Sequence, residues 1–402
     1  MPKMRNQFLK LSQITGMKYK LKRTIEENIK RDFFKGKVIV ISGPRQIGKT
    51  TLATHILKDC DDVLFLNADD PKDKENLDKK DFEYLNNFIA DKKIIFIDEA
   101  QKVKEIGNVL KLLVDNYGEE KQIIATGSSS LNLLSNTSEP LTGRKYVYEL
   151  YPLSVGEIYS DKHPLAIDKE LELLLVYGMY PAVYTSSISE KERLLREISR
   201  SYLYKDILAL EKVKDSSYLD KLLSALALQI GSEVSLTELS NLVGLDYKTI
   251  ERYIDLLEKN YVIFRLPPYY TNERKVLSKQ NKIYFYDLGI RNALINNFNP
   301  LSKRNDRGAL WENFLIVERM KLNEYTRRYV SRFFWRTYDG TEVDYIEKYA
   351  DNLDGYEFKW DKERKAPKSW LEYPNATYKL VNIDNYKEFL RPTNREDFDK
   401  TI

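Results

Sequence analysis

Eight residues near the N-terminus have the types and spacing of a phosphate-binding loop. The apolar run at residues 38–41 is followed by Gly43-Pro44-Arg45-Gln46-Ile47-Gly48-Lys49-Thr50, and Thr51 continues into an apolar-periodic segment. The two glycines let the backbone turn so that its N–H groups face phosphate oxygens, and the helix start adds its positive end. We expect Lys49 to reach the β- and γ-phosphates and the Thr50 hydroxyl to hold Mg²⁺. The loop from Gly43 to Thr51 therefore predicts a nucleotide site for ATP, with GTP as the alternative.

A second apolar run, at residues 94–97, ends in Asp98 and Glu99. A carboxylate at the end of a buried strand, behind a phosphate-binding loop, is the usual second ligand of Mg²⁺. Asp98 is therefore predicted to hold the metal together with Thr50. Glu99 is predicted to orient or deprotonate the attacking water, as a general base does.

Two further segments contain candidate catalytic side chains. The apolar run 122–125 leads into Thr126-Gly127-Ser128, where a hydroxyl is expected to sense the γ-phosphate and position the water. Arg144 stands before the run 146–150, where it is a candidate arginine finger for a neighbouring subunit's site. An ordinary loop serine and an ordinary surface arginine are the alternatives.

The elements that must position these side chains are strands alternating with helices. The apolar runs predict strands at 37–42, 63–67, 93–98, 121–127 and 146–150, with helical segments between them. This order predicts an α/β fold with a parallel sheet, and the candidate residues of the loop and the acids fall at the carboxyl ends of the strands.

Residues 160–268 read as helices followed by a strand. Helices are expected within 160–215, then three helices and the strand 261–266 predict a winged helix-turn-helix. Its DNA contacts would be Tyr247, Lys248 and Arg252. Residues 216–265 contain seven acids and five bases, which favours a packing or protein-contact role over DNA reading.

The last hundred residues contain a second set of candidate catalytic side chains. Asp344 precedes Glu357-x-Lys359 by 13 residues on predicted strands, and Glu312 lies on a predicted helix. Residues two apart in a strand share a face, so Glu357 and Lys359 should project together. Carboxylates holding Mg²⁺ beside a lysine could attack a phosphodiester. In a chain with 31% charged residues this spacing also arises by chance.

Several stretches together resemble one family. They are "GPRQIGKTTL", "IIFIDEAQ", "IIATGSSS", "LTGRKYVYELYPLSVGEI", "YGMYPAVY" and "KIYFYDLGIRNAL". Over residues 24–360 the chain resembles the archaeal and bacterial AAA-type ATP-binding proteins whose C-terminal half is a conserved domain of unknown function.

The resemblance implies an AAA+-like ATPase, with Ser128 or Thr126 as sensor and Arg144 as the finger. It implies a helical lid and a restriction-endonuclease-like C-terminal fold. The expected domains are a basic segment at 1–35, the ATPase core at 36–160, the lid at 161–215, the winged helix at 216–268, and a linker with the nuclease-like domain at 269–402.

Composition limits the class of protein. The sequence contains no stretch of about 18 uncharged apolar residues, so no membrane helix is predicted. No secretory signal is expected either. One cysteine and two histidines exclude a disulfide framework and argue against structural zinc. Residues 1–31 carry nine Lys or Arg against two acids, which is compatible with nucleic acid or with a solvated helix face. A cytoplasmic location is expected.

These features favour a Mg²⁺-dependent ATPase that couples hydrolysis to rearrangement of its C-terminal modules, acting as a homo-oligomer if Arg144 works in trans. One alternative is an ATP-gated DNA nuclease using Glu312, Asp344, Glu357 and Lys359. The other is a nucleotide-held protein-interaction switch with little turnover.

Overall fold

The computed structural model of the protein describes residues 21–128, 141–159, 165–210, 216–270, 280–361 and 364–391. The chain divides into two compact units, Met1–Tyr151 and Pro152–Ile402. Most of the basic leader and the serines that follow Ser128 lie outside the described residues.

The first unit is built on a five-stranded sheet. Its strands are β1 (Val38–Ser42), β2 (Val63–Asn67), β3 (Ile94–Asp98), β4 (Gln122–Gly127) and β5 (Lys145–Glu149). They lie in the order β2-β3-β4-β1-β5 and every pairing is parallel. The α/β prediction is confirmed, and strand ends differ from the expected ones by at most one residue. β4 lies between β1 and β3, the two strands that lead into the loop and the acids.

Helices cover this sheet because its strands are apolar on both faces. β1 and β4 are buried along their whole length, which is typical of parallel sheets. The helices are α1 (Glu26–Arg31), α2 (Lys49–Ile56), α3 (Pro71–Asp78), α4 (Phe82–Ile89) and α5 (Ile106–Tyr117). A continuous apolar core joins α4 and α5 to the sheet, so the strand ends that carry the candidate residues have a rigid support.

The second unit begins with helices and a hairpin. The helices are α6 (Val155–Tyr159), α7 (Leu165–Tyr177), α8 (Pro181–Thr185), α9 (Ile188–Leu210), α10 (Ser216–Leu228), α11 (Leu236–Val243) and α12 (Tyr247–Lys259). Strands β6 (Ile263–Leu266) and β7 (Lys282–Phe285) then pair antiparallel. Three helices followed by a hairpin lie where the winged helix was predicted, and that identity stays a prediction.

A mixed sheet forms the rest of the second unit. After α13 (Leu288–Leu294) and α14 (Arg307–Tyr325) come β8 (Ser331–Arg336), β9 (Glu342–Tyr349), β10 (Asn352–Phe358), α15 (Lys368–Leu371), β11 (Ala376–Val381) and α16 (Tyr386–Phe389). The strand order is β11-β10-β9-β8, with only β10 and β11 parallel. Because β10 ends at Phe358, Lys359 lies one residue beyond the strand on which the sequence placed it.

In the second unit, the end of α7 and the beginning of α13 pack directly on each other. A Cβ on Gly289, in α13, would lie 2.2 Å from the backbone oxygen of Tyr177 at the end of α7. A few residues away, the Asp287 carboxylate accepts the backbone N–H of Met179 at 2.7 Å. The helices therefore approach so closely that only glycine fits at position 289.

Replacing Gly289 with Ala is expected to destabilise the protein by about 2–3 kcal/mol, because the backbone of α7 cannot yield to the added methyl group. Gly308 is the matched control, since it also lies in a helix but no atom lies within 4 Å of its added Cβ. Gly308→Ala should be neutral or stabilising by at most about 1 kcal/mol. Urea unfolding of both variants measures the difference, and equal effects would contradict this packing.

Candidate active site

Glycine is required at the first position of the loop between β1 and α2. Gly43 has φ +148°, and a Cβ there would lie 2.0 Å from the backbone oxygen of Leu150 and 2.8 Å from the Ile47 side chain. The loop backbone turns further at Gln46 and Gly48, whose φ angles are +61° and +91°. The sequence-predicted phosphate-binding loop therefore adopts a tightly turned backbone just before a helix.

Lys49 is the first residue of α2, and its side chain lies inside the loop. It is 5% exposed, and its Nζ donates to the backbone oxygens of Gly43 (2.9 Å) and Pro44 (2.7 Å). A cation is thereby held at the position where phosphate charge would arrive. Thr50 and Thr51 follow in the first turn of α2, and Arg45 is half-buried.

Arg23, which the sequence analysis did not single out, is hydrogen-bonded to the backbone of the phosphate-binding loop. It is 4% exposed, and its guanidinium donates to the backbone oxygens of Ile47 (2.9 Å) and Tyr151 (2.6 Å). This part of the basic leader is therefore packed into the first unit.

The structure brings Thr50 and Asp98 together. The Thr50 hydroxyl lies 3.0 and 2.9 Å from the two carboxylate oxygens of Asp98. Thr126, at the end of β4, also donates its hydroxyl to Asp98 and accepts the backbone N–H of Glu99 at 3.3 Å. Of the two hydroxyls considered for the sensor, Thr126 is thus the one in contact with the acid pair.

Glu99 is held by a neighbour that the sequence analysis missed. The Gln101 side-chain amide donates to Glu99 Oε2 at 2.6 Å and to the Ser128 hydroxyl at 2.9 Å. Glu99 itself has φ +51°, an uncommon angle for a residue with a side chain. Such backbone outliers cluster at functional sites, and here the angle follows directly after the strand that ends in Asp98.

These residues fit a nucleotide with Mg²⁺. The buried ammonium of Lys49 matches phosphate charge, and a hydroxyl next to a carboxylate offers the hard oxygen ligands that Mg²⁺ prefers. Bound Mg²⁺ would neutralise charge that develops on the phosphate oxygens. Thr50 and Asp98 would hold it, and Glu99 is the carboxylate left to act on water.

Arg144 is not brought to this site within its own unit. It precedes β5, and its backbone oxygen accepts the N–H of Val38, so it lies at the amino end of the strands. The loop follows the carboxyl end of β1. The half-exposed side chain of Arg144 pairs with Asp115 at 2.5 Å. A role for Arg144 as a finger therefore requires another subunit, and that role stays a prediction.

The C-terminal candidates converge in the second unit. Lys359 Nζ lies 2.8 Å from Glu357 and 3.5 Å from Asp344. Burial raises the pKa of Glu357, and the nearby Asp344 carboxylate adds to the rise. Burial also raises the pKa of Glu312 to about 7, against the opposing charge of Lys282. The four side chains named from the sequence thus lie in one electrostatic neighbourhood.

Four further side chains of this neighbourhood were not predicted. Lys282 pairs with Glu312 at 3.1 Å and contacts Glu342, the Tyr284 hydroxyl donates to Glu312 at 2.6 Å, and Arg364 pairs with Glu357. Within the described ranges, no three acidic, cysteine or histidine side chains are arranged so that they could hold a metal ion. As it stands, this cluster does not fit the Mg²⁺ site of a nuclease.

The residues predicted to contact DNA are exposed. Tyr247, Lys248 and Arg252 all lie in the first half of α12 and face solvent. Arg265, on β6, is instead neutralised by Asp255 and Glu258 at 2.7 and 2.5 Å. The surface is available, but the module lacks the positive charge typical of DNA readers.

Family comparisons agree with the architecture of the first unit. Residues 35–159 match a family described as "AAA domain". Residues 168–301 and 307–386 match two families described as domains of unknown function, DUF8612 and DUF4143. Residues 35–159, which include the five-stranded parallel sheet, are therefore similar in sequence to AAA domains.

Two relatives extend the likeness over most of the chain. A Mycobacterium tuberculosis protein is 28% identical over 341 residues, which are 84% of this chain and 74% of that protein. A Haemophilus influenzae protein is 28% identical over 385 residues, 89% of this chain and 88% of that protein. Both bear the name "Uncharacterized protein".

Among solved structures, a Walker-type ATPase of Pyrococcus abyssi is similar over 68% of this chain and 93% of its own chain, with 14% identity and a TM-score of 0.43.

No described helix of this protein has the length and apolar character needed to cross a membrane.

Proposed function

We propose that this protein is a Mg²⁺-dependent ATPase whose hydrolysis cycle changes the arrangement of the modules after Pro152. The observation that carries the proposal is the hydrogen bond of the Thr50 hydroxyl to Asp98, next to a phosphate-binding loop that contains the Lys49 ammonium. The residue after Asp98 is Glu99, whose carboxylate accepts a hydrogen bond from the Gln101 side-chain amide.

Each residue has a distinct role in this proposal. Lys49 leaves the carbonyl oxygens of its own loop and binds the β- and γ-phosphates. Thr50 and Asp98 exchange their mutual contact for contacts to Mg²⁺. Gln101 and Ser128 orient Glu99, which accepts a proton from the attacking water. Loss of the γ-phosphate then releases these contacts, which is a common way to switch attached segments.

The nuclease alternative has one supporting observation, the convergence of Asp344, Glu357 and Lys359. Because the chain's own cations occupy these carboxylates, we do not derive a cleavage step from them. DNA contact through Tyr247, Lys248 and Arg252 and assembly through Arg144 remain expectations that this proposal does not require.

Hydrogen exchange on the full-length protein tests the coupling. The Glu99→Gln variant is used to hold ATP uncleaved, and peptides from residues 165–391 are followed with ATP, with ADP and without nucleotide. We expect ATP to change protection in these peptides and ADP to restore most of the nucleotide-free pattern. Identical protection in all three states, with ATP shown to be bound, would contradict the proposed rearrangement.

A further inference from the structure

The second unit contains a cavity of about 290 Å³ between α7, α8 and α9. One wall is a single face of α7, whose lining residues recur at helical spacing: Glu170, Leu173, Leu174 and Tyr177. The other side is closed by the end of α8 and the first turn of α9. This volume is just below that of drug-sized sites, so the cavity has room for a small ligand only.

Lys191, in the first turn of α9, brings a buried positive charge to the cavity. The residue is 7% exposed, and its Nζ donates to the backbone oxygens of Val183 and of Tyr184, the latter at 3.1 Å. Burial lowers the pKa of Lys191, and the negative charge of Glu170 opposes part of this effect. An ammonium has three N–H donors, so one of them has no acceptor among the described residues. Because buried donors are normally satisfied, this N–H indicates an acceptor that enters from the cavity.

Glu170 places a carboxylate on the α7 wall. Its Oε2 accepts hydrogen bonds from the hydroxyls of Tyr184 at 3.1 Å and Tyr159 at 3.2 Å. Burial raises the pKa of Tyr159, and the charge of Glu170 adds to the rise, so this hydroxyl stays a donor. Hydroxyl donors fix the position of the carboxylate and, unlike cations, do not neutralise it. The cavity therefore has one positive and one negative side chain in its lining.

The remaining walls of the cavity are largely apolar. Leu174 is 2% exposed, and Leu173 is half-buried beside it on α7. The ring of Tyr177 is held by stacking on Phe298, with 5.8 Å between the ring centres. Ile188 is 62% exposed, more than any other lining residue, which places the opening at the start of α9. A hydrocarbon or aromatic group in the cavity would remove apolar surface from water.

The two charges restrict the ligand that fits. A cation would meet the ammonium of Lys191, and an anion would meet the carboxylate of Glu170, so a ligand with either single charge is repelled. A neutral apolar molecule would leave the buried N–H of Lys191 without an acceptor. A ligand that has both an ammonium group and a carboxylate complements both side chains.

We propose that this cavity binds a small zwitterion with an apolar body, namely an α-amino acid with an aliphatic or aromatic side chain. The ligand carboxylate accepts the remaining N–H of Lys191, and the ligand ammonium group donates to Glu170. The side chain of the ligand packs against Leu173 and Ile188. All these residues belong to the second unit, so the proposal does not rest on nucleotide binding by the first unit.

Ligand-detected NMR titrations of the full-length, nucleotide-free protein at neutral pH test the proposal. L-Leucine and L-phenylalanine are the probes. Leucinamide and phenylalaninamide lack the carboxylate, whereas isocaproate and hydrocinnamate lack the ammonium group, and all keep the hydrocarbon body. At least one of the amino acids should bind. Its two single-charge analogues should bind at least about tenfold more weakly, because each meets one repelling charge.

Charge-removing variants locate the site. Lys191→Met and Glu170→Gln each remove one charge at similar side-chain size. Each should weaken binding of the amino acid at least about tenfold, the loss expected for one hydrogen bond between charged groups. Lys169→Met and Glu197→Gln are the matched controls, since they remove the same charges from exposed positions of α7 and α9 that do not line the cavity. Both controls should bind as tightly as the unmodified protein, and circular dichroism checks that each variant is folded.

Three results would overturn the proposal: neither amino acid binds, the single-charge analogues bind as tightly as the amino acid, or the control variants lose as much affinity as the cavity variants. The comparison among ligands needs no variant, so it decides even if Lys191→Met does not fold. In that case Leu173→Trp, which fills the cavity and keeps both charges, replaces it. Binding should then be abolished, and retained binding would also overturn the proposal.

Discussion

The Glu99→Gln variant is expected to hydrolyse ATP between about a hundredfold and a thousandfold more slowly than the unmodified protein while still binding ATP. Transfer of a proton to a positioned carboxylate contributes rate factors of this size, and an amide cannot accept that proton. Glu99 is hydrogen-bonded to Gln101 and lies outside the phosphate-binding loop, so the binding of ATP should be retained. Phosphate release and binding of a fluorescent ATP analogue measure the two effects separately.

Glu105→Gln is the matched control for this variant. Glu105 also has a left-handed backbone, with φ +52°, and also precedes a helical segment. Its half-exposed side chain pairs instead with Lys80 at 2.7 Å on the surface. Its replacement should leave hydrolysis unchanged. Equal losses in both variants would show that the effect at Glu99 is not specific to its position beside Asp98.

The second large effect is expected from Lys49→Ala, which should weaken ATP binding by roughly a hundredfold. Hydrogen bonds to charged groups are worth about 1.5–3 kcal/mol, and each 1.4 kcal/mol is a factor of ten in affinity. The Lys49 ammonium lies inside the turn of the phosphate-binding loop, where it donates hydrogen bonds to two backbone oxygens of that loop. Isothermal titration with MgATP measures the change.

Lys58→Ala controls for the loss of a positive charge near the same helix. Lys58 lies two residues beyond α2, and its side chain is 52% exposed. The Lys58→Ala variant should bind ATP as tightly as the unmodified protein. If Lys49→Ala also keeps its affinity, the phosphates do not bind in this loop and the proposed site is wrong.

The first unit was largely predictable because its signals are local. The runs 94–97 and 122–125 are apolar without interruption, which predicts buried parallel strands, and the motif residues follow the strand ends directly. The approach of Thr50 to Asp98 followed from the same reasoning, since parallel strands bring their carboxyl ends to one edge of the sheet.

The residues that the sequence did not reveal act over long separations. Arg23 reaches the backbone of Tyr151, 128 residues away, and Lys282 reaches Glu312, 30 residues away. Gln101 is close in sequence to Glu99, but its contact with Ser128 spans 27 residues. Spacing within one element cannot indicate such partners, because they depend on how separate elements pack.

The C-terminal acids show a different limit of the sequence. The pattern of Asp344, Glu357 and Lys359 correctly indicated which side chains meet. It could not indicate that Lys282, from another module, stands among the same carboxylates. Shared location was therefore predictable, whereas the charge balance that decides its chemistry was not.

The most direct test of the ATPase account is the steady-state rate of phosphate release by the full-length protein at saturating ATP, with Mg²⁺ and with Mg²⁺ chelated. The account predicts sustained turnover that stops when Mg²⁺ is removed and that exceeds the Glu99→Gln rate by about a hundredfold or more. ATP that binds tightly but is released unhydrolysed, at a rate no higher than that of Glu99→Gln, would contradict it and identify a nucleotide-held switch.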